Sequence, residues 1–240
     1  MPFYDYFDTE ERTITRIGRM IVWREITAHI QMIRQYRKTT GRLKVLEIGP
    51  GKGYFAKSAL ENGWDYTGID GSATLVSRLK GYNIPVTLAH VPPIPESAGG
   101  DYDAIVMEQL LEHMSTVREA TTVVEDAYSR LVKGGVLLIA SPDYKAQGAH
   151  FFDCDYTHNY VTTTRRVSQL LIDSGFTIAY KGYETLSISS EFATLLITMM
   201  TRILYASGIP AIIGKLLNKE ERMSKIKFTL LRSCVVVGRK

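Results

Sequence analysis

Cysteine is scarce: the chain of 240 residues has two, Cys154 and Cys234. That count excludes a disulfide framework, leaves too few ligands for a cysteine-based zinc site, and points to a reducing compartment. Charge of one sign is scarce too. Lys and Arg number 29 against 25 Asp and Glu, an excess too mild to indicate nucleic-acid binding. Long apolar runs are missing. The nearest approach, 192–214, carries Arg202 and is broken by Gly208 and Pro210. Its pieces are shorter than the ~20 residues of a membrane span. They read as a pair of buried or lid helices, or as an interfacial wall for an apolar substrate. The first twenty residues show no basic stretch leading into an apolar one, so no secretory signal is expected and a cytoplasmic location is. Repeats and low-complexity tracts are absent. So is a Gly-x-Ser-x-Gly elbow, which leaves hydrolysis without support.

What is present is ordinary globular composition, 45% apolar and 22% charged, with length for one domain and appendages. Residues 1–42 read as an amphipathic helical cap, with isoleucines from Ile14 to Ile33 near helical spacing and arginines between them. From Leu43 short apolar strands alternate with helices. Strands are expected at 43–49, 65–70, 86–90, 102–107, 136–140, 176–182 and 227–238. Alternation of this kind means parallel strands with helical crossovers. The expected fold is α/β: a Rossmann-like, seven-stranded, mostly parallel sheet with helices on both faces. The core spans 43–184, an apolar and basic helical insertion 185–224, and the final strand 225–240.

One segment carries chemistry by its spacing. Glu47-Ile48-Gly49-Pro50-Gly51-Lys52-Gly53 joins a strand to a helix. Glycines allow a tight turn and let a ligand lie against bare backbone. Asp70, at the tip of the second strand, is placed to accept two ribose hydroxyls. A phosphate-binding P-loop would need Ser or Thr after Lys52, where Gly53 stands. A dinucleotide loop counted from Gly51 and Gly53 would find Ala56 at its third position, which is permissible. S-adenosylmethionine, with an ammonium and no phosphate, suits Glu47 well.

These segments together resemble the class I S-adenosylmethionine-dependent methyltransferases, small-molecule branch. Val45 to Gly53 resembles that family's first motif, and Gly68-Ile69-Asp70 its ribose-binding acid. Asp103 to His113 resembles its fourth strand with the Leu-Glu-His signature, and Leu131 to Leu137 its hairpin into strand five. The resemblance implies S-adenosyl-L-methionine as cofactor. It implies that Glu47, Gly49, Pro50, Gly51, Gly53, Tyr54 and Phe55 surround the methionine moiety, that Asp70 and Gly71 hold the ribose, and that Glu108, Gln109 and Leu110 line the site beside the sulfonium. Many relatives carry an acid after strand three. Here His90 and Val91 occupy that place, so His90 or backbone must meet the adenine.

For the acceptor, the loop after strand five is richest. Asp143 and Tyr144 are followed by His150, Asp155, Tyr156 and His158, and loops at the carboxyl ends of parallel strands hold ligands. His158 is the first choice for a general base, His150 the second and His113 the third, since a hydroxyl acceptor benefits from a histidine base. Asp143, Tyr144, Asp155, Tyr156, Trp23 and Arg24 are candidates for acceptor binding, and Tyr4, Tyr6 and Phe7 add aromatics to the cap. His29 reads as a surface or helix-packing residue. Asp153, Asp155, His150 and His158 match no metal motif, and no metal is expected. No Asn/Asp-Pro-Pro-Tyr segment follows strand four, which argues against nucleic acid as acceptor.

The leading expectation is methyl transfer, at oxygen with a histidine base, to a small-molecule acceptor or one linked to lipid or glycan. A non-catalytic cofactor-binding relative that serves as a partner module is the rival, and a nicotinamide-dependent reductase a third reading. Charge adds one clue. Residues 1–40, 41–180 and 181–240 carry +2, −4 and +6, so basic residues gather with the apolar insertion. Weak peripheral contact of 192–227 with anionic lipid is expected from that pairing.

Overall fold

The computed structural model describes residues 16–240, the Glu221 side chain apart. The cap residues Ile14, Tyr4, Tyr6 and Phe7 lie outside them. Helix α1, Arg16–Arg37, turns Ile26, His29, Ile30 and Ile33 inward and leaves Arg16, Arg19 and Arg24 exposed. Strand β1, Lys44–Ile48, is buried along four of its five residues. There follow α2 (Tyr54–Glu61), β2 (Asp65–Asp70), α3 (Ala73–Gly81), β3 (Val86–Leu88), β4 (Tyr102–Glu108), α4 (Val117–Arg130) and β5 (Leu131–Pro142). Two single-turn helices, α5 (Tyr144–Gln147) and α6 (His150–Asp153), lead to α7 (Thr164–Asp173) and β6 (Thr177–Glu184). The insertion is α8 (Glu191–Ala206), α9 (Ile209–Leu216) and α10 (Glu220–Leu230), before β7 (Ser233–Arg239).

The seven strands form one sheet in the order β3-β2-β1-β4-β5-β7-β6. All neighbouring pairs from β3 to β5 are parallel, and β7 runs antiparallel to both β5 and β6. The chain leaves β6 at Glu184 and enters β7 at the paired residue Ser233. The insertion therefore begins and ends on one edge of the sheet, and β7 must descend from it. That edge is the carboxyl end of the parallel strands, where such sheets bind ligands.

Two apolar layers sandwich the sheet. Helices α1, α2 and α3 cover one face, around Ile33, Phe55, Trp64 and Leu138, and α4 and α7 cover the other, around Val123, Leu171 and Phe176. Each helix lays its apolar stripe on the strands and leaves its charged side to water.

The expected elements are present, with two sizeable boundary differences. β5 starts at Leu131, five residues before the expected strand. The last strand starts at Ser233, because 227–230 belong to α10. A strand is expected from 227, but packing against α8 and α9 decides for helix. The Tyr205 hydroxyl donates to the Met223 carbonyl at 2.7 Å, and a Cβ on Gly214 would stand 3.2 Å from Glu220 Cα. The insertion thus extends through Leu230, past the expected boundary at 224.

Candidate active site

The strand order turns back between β1 and β4, and the glycine loop lies at that switch point. Gly49, Gly51 and Gly53 have φ of 78°, 51° and 76°, the left-handed region that favours glycine. A Cβ on Gly53 would stand 2.5 Å from Leu79 Cδ2, whereas one on Gly51 would meet nothing within 4 Å. Gly53 makes room for the Leu79 side chain of α3, and Gly51 leaves backbone bare for a ligand. Pro50 closes the turn by accepting from Gly53 N–H at 2.8 Å.

Asp70 accepts from the N–H groups of Gly51 (3.2 Å) and Ser72 (2.8 Å), spanning Gly71. The Asp70 carbonyl accepts from Ala89 N–H at 3.0 Å, which draws His90 and Val91 alongside. Gln109 takes φ 50° and donates its N–H to the Ala140 carbonyl at 2.8 Å. That turn brings Leu110 Cδ1 to 3.2 Å from where a Gly49 Cβ would be. The loop, Asp70 and the end of β4 are therefore one constellation.

Of the other expected cofactor residues, Glu47 stays close enough to Glu108 and Asp70 to feel their charge, whereas Phe55 and Tyr54 meet aromatic neighbours. Phe55 is buried with its ring toward Trp64, at 6.4 Å between centroids. Glu47 is buried and accepts from the Tyr66 hydroxyl at 2.6 Å. Burial, with Glu108 nearby, raises its pKa well above the carboxylate range. Tyr54 meets Trp23 edge-on at 6.4 Å. Both line a cavity of about 710 Å³ with Arg19, Lys52 and Lys57. Its lining includes neither Asp70 nor Glu108. Arg24 is exposed on α1.

Sequence reading missed the role of His29. It is buried, with Nδ1 2.6 Å from Glu108 Oε1 and Nε2 3.0 Å from Glu184 Oε2. Burial opposes its cation, but the two carboxylates outweigh burial and raise its pKa well above the usual value. Glu25, on the same helix, is pushed up to about 7 by burial and by Glu184. Only the isoleucines flanking His29 hinted that it faces inward.

The acceptor-side histidines do converge. His113 and His158 lie 4.9 Å apart, ring to ring. The Thr157 hydroxyl donates to Asp155 Oδ1 at 2.7 Å, so its oxygen accepts from His113 Nδ1–H at 2.6 Å. His158 Nδ1–H donates to the Phe151 carbonyl at 2.6 Å. Each ring is thereby left with its Nε2 lone pair. Burial, with His158 beside it, lowers His113 to about 4. Burial also lowers His158 and His150. The Glu112 carbonyl accepts from Asn159 and Tyr160 N–H, at 2.9 and 3.0 Å, which ties this loop to the end of β4.

The four residues weighed for a metal do not gather, and the Asp153 side chain is 85% exposed. Among the described residues, Glu112, His113 and His158 each offer one donor atom within 4.8 Å of the others, a set that could hold a divalent ion. Asp143 is buried, caps α5 and pairs with Arg232 Nε at 2.8 Å, so its carboxylate is committed. Tyr144 packs on Phe151 and Phe152, and Tyr156 is exposed.

A doubly wound sheet with a glycine loop and an acid at its switch point defines a nucleoside-binding α/β domain. The chain belongs to the methyltransferase-domain family, whose profile matches residues 20–181. It is 25% identical over 154 residues to the ubiquinone biosynthesis O-methyltransferase of Psychrobacter arcticus, covering 56% of this chain and 59% of that one. It is 24% identical over 133 residues to the glycine/sarcosine N-methyltransferase of Halorhodospira halochloris, covering 52% and 50%. The chain thus spans between half and three-fifths of these curated relatives. In fold it is similar to a SAM-dependent methyltransferase from Archaeoglobus fulgidus, with TM-score 0.62, 18% identity and coverage of 98% and 99%. It is equally similar to the N-methyltransferase NodS of Bradyrhizobium japonicum, solved with S-adenosylhomocysteine, with TM-score 0.62, 14% identity and coverage of 100% and 99%.

Proposed function

We propose that this protein transfers a methyl group from S-adenosylmethionine to the oxygen of a small-molecule acceptor, with His113 receiving the acceptor's proton. The observation that carries the proposal is continuity. The segment that turns at Gln109 beside the glycine loop runs directly into His113. When bound, the cofactor supplies an electrophilic methyl on a sulfonium. Backbone at Gly49 and Gly51 and the carboxylate of Asp70 would hold it, with Leu110 against the loop.

The protein's own part is orientation and proton transfer. Asp155 holds Thr157, and Thr157 holds His113 Nδ1–H, which aims Nε2 as acceptor. His113 is neutral at pH 7 and weakly basic, which suits a hydroxyl that is itself acidic, such as a phenol. His158, the first choice from sequence, is more enclosed and supports His113 from the side. The insertion forms a lid over the acceptor. Its apolar and basic surface supports an acceptor drawn from, or held at, an anionic lipid surface.

Incubation with methyl-labelled cofactor and cell extract tests this reading. Label is expected in a small-molecule fraction, aqueous or lipid-extractable. His113→Asn should lower the rate roughly 100-fold or more, the range of general-base catalysis, while cofactor affinity stays within about twofold. Cofactor binding without label transfer would favour a non-catalytic relative instead.

A further inference from the structure

Three buried polar atoms without a hydrogen-bond partner stand on one cavity. The cavity, about 300 Å³, lies between the α5–α6 turn and helices α8 and α10. Gln147 and His150 line it and are 5% and 6% exposed. Both polar atoms of the Gln147 amide, and His150 Nε2, are buried with no partner among the described residues. Each atom left so carries an uncompensated desolvation cost, and native proteins keep few. Three on one wall mark a place built to be filled by a polar group.

The charge on that wall has one sign. Arg202 of α8 and Lys227 of α10 line the cavity, and among the described residues no carboxylate does. Neither makes an ion pair among the described residues, and Lys227 Nζ rests 5.5 Å from the centre of the Tyr205 ring.

We propose that this cavity binds an oxyanion of the acceptor, a carboxylate or phosphate with a neighbouring hydroxyl. Arg202 and Lys227 balance its charge. The Gln147 amide nitrogen and His150 Nε2–H donate to it, and Gln147 Oε1 accepts from the hydroxyl. The place suits an acceptor. α6 carries His150 on the cavity side and Phe151 beside His158, at 4.9 Å between rings, and His158 adjoins His113. Assignment of the anion to the acceptor rests on the methyl-transfer reading, while the anion site stands on the cavity alone.

Histidine-selective NMR of the full chain, titrated with inorganic phosphate and separately with acetate, tests the proposal. Saturable shifts of the His150 resonances are expected. Arg202→Gln with Lys227→Gln should weaken binding at least tenfold, and Gln147→Leu at least threefold. Calorimetry with S-adenosylhomocysteine should give unchanged affinity in these variants. Immobile His150 resonances, or equal phosphate affinity in the double variant, would overturn the proposal. Phosphate binding without any S-adenosylhomocysteine binding would keep the anion site and overturn the methyl-transfer reading. Phosphatidylglycerol vesicles distinguish the sources: competition with phosphate at His150 assigns a lipid headgroup, and its absence assigns a soluble anion. Either result supports the site.

Discussion

His29 shows how a residue's neighbours decide its chemistry. Its partners Glu108 and Glu184 are 79 and 155 positions away, so no local pattern could pair them. The glycines and Asp70 were legible because their partners lie within about twenty residues, in one strand–loop–helix unit. Glu25 gives the His29 cluster a measurable signature. Its pKa rises from 4.5 to about 7 on folding. Between those values the folded protein keeps a proton that the unfolded chain has lost, so stability falls as pH rises through the window. Glu25→Gln removes that loss. Relative to wild type, the variant should gain about 2 kcal/mol between pH 5 and pH 7 by urea unfolding. An equal difference at both pH values would contradict the assignment.

At the scale of elements, α1 is fixed across one face of the sheet, by that buried cluster at the carboxyl ends of β4 and β6 and by Tyr36 stacked on Tyr180 at 5.8 Å. Breaking one partner of such a buried set leaves an uncompensated charge, which is costly. The insertion is the element least determined by sequence, since its helices are set by packing on one another. Among the described residues no single helix is long and apolar enough to cross a membrane, and the α8–α9 pair that qualifies together is bent by 62°. Phe192, Met200, Ile203, Ile212 and Leu216 are nonetheless exposed there, close in sequence to Lys215 and Lys219. A flotation assay at low salt should find preference for anionic over neutral vesicles, reduced by Ile203→Ser with Ile212→Ser. Equal partition to both vesicle types would contradict a lipid-facing role.

For the whole molecule, alternating strand and helix signals made the sheet legible, because each buried strand is a short apolar run closed by glycine or acid. The antiparallel entry of β7 follows from an insertion that stays on one edge, which only the three-dimensional path reveals. The same edge carries the glycine loop, the His113–Thr157–Asp155 chain and the anion cavity. Cofactor use is the claim on which the rest depends, and calorimetric titration with S-adenosylmethionine tests it most directly. The account predicts saturable one-to-one binding by the wild type and at least tenfold weaker binding by Asp70→Ala. Absence of heat, or equal affinity in the two proteins, would contradict it.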